Sequence, residues 1–412
     1  MRRLACLSLL LAAFAVHAAP AAEPLKIGLN YPRTGNDKAE GLEQMRGALL
    51  AIEQINAHGG VLGRPLQLET ANSASRAETA VRNVDRLQAK EVAMIFGGAT
   101  SEEVIAASQR ARELGLLYFA TLAYANEVTG QYGHRYLFRE SGSARMSARV
   151  LGEYLAIHQP RRSYFHITRD DAWGRSMESA LRESTSTQDK ARHGRRSLAA
   201  SGARLADMRA ALEAAEKSQA EVLVLNLLGN DLVQIMSLVD QQGLNRRLQI
   251  IIPHLSKPLV EQIGPSIMTG VIGTETWTLK SAQLEKSEAG QDFIREFVAE
   301  NQEYPGSTAA STYAIVREWA EAVKRAGSSD SEAVIRALEG HRYQLLKGPQ
   351  EWRAFDHQNV QDVYAVRVRP REEIMKDPLK QDYFEVIHRM QGEQAAVSMD
   401  DWEQERDSLT LE

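Results

Sequence analysis

Short apolar runs alternate with segments of helical periodicity along most of the chain. Residues 26–30 predict a strand, and a helix follows because apolar residues then recur at steps of three or four. The predicted buried face of this helix consists of Leu42, Met45, Leu49, Ile52 and Ile55. Further strands are predicted at residues 66–70, 92–96, 117–120, 164–168, 222–225, 248–252 and 270–274. Strands that alternate with helices indicate an α/β protein with two parallel, doubly wound sheets.

The last part of the chain departs from this alternation. Residues 290–338 have a mostly helical pattern, and residues 364–369 predict a late, isolated strand. This order suggests that the chain crosses between two domains more than once. A chain of 412 residues also suits two domains, because a single core rarely grows beyond about 250–300 residues.

The first 22 residues have the pattern of an export signal. Arg2 and Arg3 precede a short apolar run at residues 4–16, and small residues suited to cleavage follow at 17–21. The run is too short to span a membrane. Cys6, which is the single cysteine of the chain, lies inside this segment. We therefore expect an exported mature protein without a disulfide, a thiolate metal site or a cysteine nucleophile.

Charge and motifs exclude several classes of function. A formal net charge of −5 with mixed signs gives no electrostatic reason to bind nucleic acid or an anionic membrane. No other apolar run reaches the roughly 20 residues of a membrane span. The chain lacks His-Glu-x-x-His, Gly-x-Ser-x-Gly and Gly-x-Gly-x-x-Gly motifs, and its histidines are not spaced as metal ligands. We expect no enzyme activity, no metal and no cofactor.

One segment is a candidate binding site. Gly97 and Gly98 follow the third predicted strand, and Thr100 or Ser101 can cap the helix that comes next. Ligands of open α/β sheets bind beyond the carboxyl ends of the strands. Glycines let the backbone approach a ligand, and free N–H groups at a helix start attract a carboxylate. An ordinary N-cap after a tight turn explains the same residues equally well.

Residues 51–66 read Ala-Ile-Glu-Gln-Ile-Asn-Ala-His-Gly-Gly-Val-Leu-Gly-Arg-Pro-Leu. Together with Lys26-Ile27-Gly28 and with segments 126–129, 136–139 and 171–174, this run resembles the periplasmic solute-binding receptors of branched-chain amino-acid type ABC transporters. The resemblance covers about residues 25–395. It implies the type I periplasmic binding fold, with two parallel-sheet lobes joined by a three-crossover hinge. The implied division is a signal peptide at 1–22, lobe 1 at 23–142 and 276–345, lobe 2 at 143–275 and 346–370, and a C-terminal tail at 371–412.

This resemblance also implies a function. We expect a periplasmic, monomeric receptor that captures a small polar solute, such as an amino acid or a related small carboxylate or amide. Closure of the lobes would then deliver the solute to an inner-membrane ABC permease. A ligand sensor of the same fold is the alternative. An exported enzyme that uses Asp170, Asp171 or His357 is a third interpretation, although adjacent carboxylates on a turn, such as Asp170 and Asp171, are usually solvated.

Contact residues follow from the resemblance, position by position. Ser101, beside Thr100, stands where family members hold the carboxylate of an amino acid. Tyr124, two residues after Leu122, replaces a threonine that takes the α-ammonium; an aromatic residue of a loop that packs against lobe 1 explains it equally well. Trp173 stands where a tyrosine packs over the ligand; a tryptophan buried in the core is the alternative.

Two further contacts are expected in lobe 2, near Leu228 and His254. The segment around His254 lacks the usual acid, although a plain loop histidine is the commoner explanation of that residue. Glu40 either replaces this acid or is a surface residue in the first turn of a helix. Without an acid for the ammonium, the site should disfavour leucine, isoleucine and valine. A ligand with a carboxylate or other polar end and a planar or uncharged remainder would bind better.

Overall fold

The computed structural model describes residues 22–410. The predicted signal segment, Cys6 included, lies outside the described residues apart from Ala22, and so do residues 411–412. Among the described residues, no helix combines the length and the apolar character that a membrane crossing requires.

The chain first builds lobe 1 by alternating strands with helices. Its elements up to residue 139 are β1 (Leu25–Tyr31), α1 (Lys38–Ala57), β2 (Leu66–Asn72), α2 (Ala77–Gln88), β3 (Met94–Gly97), α3 (Ser101–Glu113), β4 (Leu117–Ala120) and β5 (Leu137–Arg139). The five strands form a parallel sheet in the order β2-β1-β3-β4-β5. Strands β3 and β4 are buried throughout, as expected where helices cover both faces of a parallel sheet.

Lobe 2 follows with the same alternation. Its elements up to residue 275 are α4 (Ala144–His158), β6 (Tyr164–Arg169), α5 (Ala172–Ser184), β7 (Gly194–Leu198), α6 (Leu205–Lys217), β8 (Val222–Asn226), α7 (Gly229–Gln241), β9 (Gln249–His254), α8 (Lys257–Ile263), α9 (Pro265–Met268) and β10 (Ile272–Glu275). The sequence pattern did not predict β7, because this edge strand carries exposed arginines at 195 and 196 instead of an apolar run.

The chain then returns to lobe 1. This part contains α10 (Leu279–Leu284), α11 (Glu288–Asn301), α12 (Ser307–Ala326), α13 (Ser331–Leu338) and a small antiparallel sheet of β11 (Arg342–Tyr343), β12 (Gln350–Trp352) and β13 (Asn359–Val360). Trp352 packs edge-on against Phe119 and Phe138 in the core of lobe 1. The final return to lobe 2 therefore follows β13 and not residue 345, where the sequence analysis placed it.

The last elements are β14 (Val363–Val368), α14 (Arg371–Ile374), β15 (Phe384–Met390), α15 (Gly392–Ala395) and α16 (Met399–Thr410). The sheet of lobe 2 has seven strands in the order β15-β14-β10-β9-β8-β6-β7. Strand β14 is antiparallel to both of its neighbours, β10 and β15. The prediction of an isolated late strand is therefore wrong, since residues 384–390 of the expected tail complete this sheet.

A buried lysine joins the three segments that connect the lobes. The ammonium of Lys347 donates hydrogen bonds to the carbonyl of Thr276, in the second crossover, and to the side-chain oxygen of Gln361, in the third. The amide of Gln361 donates to the carbonyl of Glu140, in the first crossover. All four residues are buried, so this network lies in the hinge itself.

The buried face of α1 differs from the predicted one. Leu42 and Leu49 are 50% and 41% exposed. Helix α12 packs on the face that carries Gly47, where an added Cβ would lie 2.2 Å from the carbonyl oxygen of Ala309. Gly47 lets α12 pack closely against this face of α1, and this contact decides which side of α1 is buried.

Candidate functional site

A cavity lies between the two lobes, at the carboxyl ends of their strands. It holds about 680 Å³ of empty space, counting the part that opens to solvent. All eight residues that the sequence analysis named line this cavity: Glu40, Thr100, Ser101, Leu122, Tyr124, Trp173, Leu228 and His254. The structure thus brings the candidates together, and their contact with a ligand remains a prediction.

Helix α3 begins at the cavity, and side chains of lobe 1 accept hydrogen bonds from some of the N–H groups at its start. Thr100 is the N-cap, and its hydroxyl accepts the N–H of Glu103. The buried carboxylate of Glu103 accepts the N–H groups of Ala99 and Thr100. The N–H groups of Ser101 and Glu102 have no hydrogen-bond partner among the described residues. The predicted anion site at this helix start therefore has only two free N–H donors, those of Ser101 and Glu102.

The hydroxyl of Ser101 is positioned by the loop after β4. Its oxygen accepts the N–H of Ala125 at 3.1 Å, and the side chain is only 2% exposed. This bond uses a lone pair and leaves the hydroxyl proton to donate. Since Thr100 is the cap, Ser101 is free of the structural role that the sequence left open for it.

Neutral rings form one wall of the cavity. The rings of Tyr124 and His254 pack with their centres 4.3 Å apart. Burial lowers the pKa of His254 to about 4, and burial also raises the pKa of Tyr124 well above its usual value. Both side chains are therefore uncharged near neutral pH.

Trp173 lies both on the cavity wall and in a buried apolar cluster, and its contact with a ligand stays a prediction. It lines the cavity and is also 2% exposed. It packs, together with Met177, into an apolar cluster made mostly of lobe 1 residues. A side chain of lobe 2 is thus part of the packing of lobe 1 at the cleft.

The structure decides the orientation that the sequence left open for Glu40. Its Oε1 accepts the hydroxyl of Ser256 at 2.5 Å and its Oε2 accepts the hydroxyl of Thr308 at 2.6 Å. Burial raises the pKa of Glu40 to about 7, despite these two bonds, which act in the opposite direction. Glu40 therefore faces the cleft, and its carboxyl group is poised to change its ionisation near neutral pH.

Arg169 was missed, and Asp171 was named only as a candidate catalytic residue; both line the cavity. Asp171 is the N-cap of α5 through a 2.8 Å bond from the N–H of Gly174, and it pairs with the guanidinium of Arg169. The expectation that both aspartates are solvated holds for Asp170, whose side chain is 65% exposed, and is wrong for Asp171, which is buried. Their position at the end of β6 was the signal that could have found them.

The cavity wall carries more acid than base. Its carboxyl groups belong to Asp37, Glu40, Glu102 and Asp171, and Arg169 is the one arginine or lysine on it. Burial raises the pKa of Asp37, of Glu40 and of Asp171. A positively charged ligand group would offset the cost of ionising these carboxyls. Within residues 22–410, no group of three or more His, Cys, Asp or Glu side chains is arranged to hold a metal ion.

A two-lobed α/β structure with a cavity between the lobes, at the carboxyl ends of their strands, is the architecture of periplasmic binding proteins. The family model described as "Periplasmic binding protein" matches residues 24–373, and the chain belongs to this family.

Relatives agree with this membership. A Pseudomonas aeruginosa protein named "Leucine-, isoleucine-, valine-, threonine-, and alanine-binding protein" is 25% identical over 332 residues, which are 80% of this chain and 85% of the relative. An amino acid ABC transporter substrate-binding protein from Pseudomonas fluorescens has a TM-score of 0.82 at 20% identity, over 94% of this chain and 99% of that one.

A third similar structure carries a different ligand. It is a solute-binding protein of an ABC transporter from Rhodopseudomonas palustris, in complex with 3,4-dihydroxy benzoic acid. Its TM-score is 0.76 at 19% identity, and the match covers 90% of this chain and 98% of that chain. Such identities establish the shared fold.

Proposed function

We propose that this protein is a periplasmic receptor that binds a small amino-acid-type solute between its lobes and delivers it to an inner-membrane ABC importer by lobe closure. One observation carries the proposal. The same cavity has free N–H donors at the start of α3 and the buried carboxyl group of Glu40 on its walls. An amino acid presents the two complementary charges.

Each end of such a ligand has a partner in the cavity. The N–H groups of Ser101 and Glu102 and the hydroxyl of Ser101 would hold the carboxylate. Glu40 would accept the ammonium, since a carboxylate has lone pairs beyond the two that Ser256 and Thr308 use. The remainder of the ligand would lie against Leu122, Tyr124, Trp173 and Leu228.

The relatives support an amino-acid ligand more than an aromatic acid. The Pseudomonas aeruginosa relative is named for amino acids. The dihydroxybenzoate complex is on a chain with 19% identity, which speaks only for the fold. The carboxyl-rich wall of this cavity would repel a ligand whose only charge is negative, because like charges in a poorly solvated site disfavour each other.

The chemistry of the cavity suits binding and offers no reaction. The hydroxyl of Ser101 is bonded to a backbone N–H and not to a base. His254 is neutral and has no hydrogen-bond partner that would orient it among the described residues. A nucleophile needs an adjacent, oriented base, so capture and release are the proposed events.

The test is a ligand screen on the mature protein. Thermal shifts with each common amino acid and with small aromatic acids, including 3,4-dihydroxybenzoate, should single out an amino acid. A ligand at a hundred times its Kd stabilises by about 2.7 kcal/mol, which is readily detected. Mass spectrometry of the recovered ligand should show it unchanged. Stabilisation by aromatic acids alone, or chemical conversion of the ligand, would contradict the proposal.

A further inference from the structure

Three helices of lobe 2 begin at the cavity, and a polar side chain of lobe 1 contacts the first residues of each helix. The N–H of Ala172, at the start of α5, donates to the carboxylate of Glu102 at 3.0 Å. The N–H of Asn230, in the first turn of α7, donates to Oδ1 of Asn36 at 3.2 Å. The third start is that of α8, where the Ser256 N-cap bonds to Glu40.

These bonds exist only when the lobes are together. The first N–H groups of a helix have no partner inside the helix, so in an open molecule water must satisfy them. At α5 and α7, closure replaces that water with a side-chain oxygen from the opposite lobe; at α8 the hydroxyl of the N-cap makes the contact instead. Because the acceptors lie on the cavity wall, the three contacts surround the site.

In the closed molecule the side chain of Asn36 packs directly against Gly229, at the start of α7. Its φ is +55°, and a Cβ added there would lie 2.3 Å from Nδ2 and 2.8 Å from Cγ of Asn36. The three nearest atoms to that position all belong to the Asn36 side chain, which is in the other lobe. The closest steric conflict for a side chain at 229 therefore comes from the closed contact, and it adds to the backbone strain of the positive φ.

We infer that Asn36 and Gly229 form a closure latch. The missing side chain at 229 lets Asn36 reach the start of α7, and the latch holds a fraction of the molecules closed without ligand. This inference deepens the closure step of the proposed function. Its test uses no ligand, so the outcome is independent of whether the solute screen succeeds.

The experiment measures the distance between the lobes in the ligand-free protein. The predicted mature chain has no cysteine, so spin labels can be attached at Glu78→Cys on α2 and Ala206→Cys on α6, both exposed positions. Pulsed electron paramagnetic resonance then reports the distance distribution. We expect a short-distance population in the otherwise unmodified protein, and its loss in Gly229→Ala.

Gly243→Ala is the matched control. Gly243 follows the other end of α7, has a φ of +65°, and has nothing within 4 Å of an added Cβ. The two substitutions impose the same left-handed strain on an alanine, but only the one at 229 collides with lobe 1. Gly243→Ala should keep the short-distance population.

A double variant distinguishes loss of the latch contact from a general folding defect of Gly229→Ala. Asn36→Ala removes the atoms that an alanine at 229 would strike, so the double variant Asn36→Ala with Gly229→Ala should regain a short-distance population that Gly229→Ala lacks. Asn36→Ala alone should show a smaller closed fraction than the unmodified protein. Three results would overturn the inference: a wholly open unmodified protein, equal behaviour of the two glycine variants, or absence of the rescue.

Discussion

The hydroxyl of Ser256, in lobe 2, donates a 2.5 Å hydrogen bond to the carboxyl group of Glu40, in lobe 1. This bond joins the lobes at the wall of the cavity. Since burial raises the pKa of Glu40 to about 7, the same group links the state of the cleft to pH. A ligand ammonium beside it would favour the ionised form.

We predict that affinity for an amino-acid ligand rises with pH in this protein. Below pH 7 the carboxyl of Glu40 is protonated, so binding an ammonium must expel a proton, at a cost of up to about tenfold in affinity per pH unit. Calorimetry with the ligand found in the screen, at pH 6, 7 and 8, checks this. His254 does not titrate in this range, because its pKa is about 4.

Glu40→Gln should remove this pH dependence and weaken binding at pH 8. Glu53→Gln, which changes an exposed glutamate on the same helix, is the control and should bind as the unmodified protein does. Equal pH profiles for all three proteins would exclude Glu40 as the counter-ion of the ligand.

The free protein should show the opposite trend in stability. The pKa of Glu40 is raised from 4.5 to about 7 by folding, so its contribution is fully present below pH 4.5 and is lost as the pH rises through about 7. Between pH 5 and 8 the free energy of unfolding should fall by about 2–3 kcal/mol more in the unmodified protein than in Glu40→Gln, because most of the rise in the pKa of Glu40 from 4.5 to about 7 lies in this interval. Urea titrations at the two pH values measure the difference, and parallel pH profiles would contradict it.

Ser101→Ala should weaken ligand binding by about 1–3 kcal/mol, the cost of losing a hydrogen bond to a charged group. Ser108→Ala is the control, because Ser108 is buried in the same helix and its hydroxyl bonds only to the Ile105 carbonyl. Both variants should be compared by calorimetry and by melting temperature. If Ser101→Ala loses only stability, the serine serves the Ala125 loop and not the ligand.

Lys347→Met should destabilise the protein by about 1–3 kcal/mol, because it leaves two buried hydrogen-bond acceptors without their donor. The carbonyl of Thr276 and the side chain of Gln361 would lose their donor. Lys324→Met changes a lysine that is 43% exposed and should alter stability little. Equal unfolding midpoints in urea would show that the hinge network is dispensable.

Binding of leucine tests the predicted preference of the cavity for a polar side chain. From the sequence, an ammonium is disfavoured because no acid lies near His254, but the structure places the carboxyl group of Glu40 on the cavity wall. The rings of Tyr124 and His254 carry polar atoms and lie on the same wall, where we expect them to suit a polar side chain better than a branched aliphatic one. We predict that leucine binds more weakly than an amino acid with a polar side chain. Sub-micromolar binding of leucine in calorimetry would contradict this.

The sequence by itself determined the alternation of strands and helices and indicated eight of the residues that line the cavity. Glu40, Ser101, Trp173 and His254 come from distant segments, yet each lies at or just beyond the carboxyl end of a predicted strand or at the helix that follows. Parallel strands bring those ends to one edge of each sheet, so local patterns and a resemblance were enough to collect the residues around one cavity.

Only the tertiary structure decided how these residues face one another. The inward turn of Glu40 depends on Ser256 and Thr308, which lie more than 200 positions away. The burial of Asp171 and the exposure of Leu42 likewise depend on which surfaces pack together. The steric conflict that a side chain at 229 would meet involves Asn36 in the other lobe. Hydrophobic periodicity reports which side of an element is buried on average, whereas these features depend on contacts between segments that no local pattern encodes.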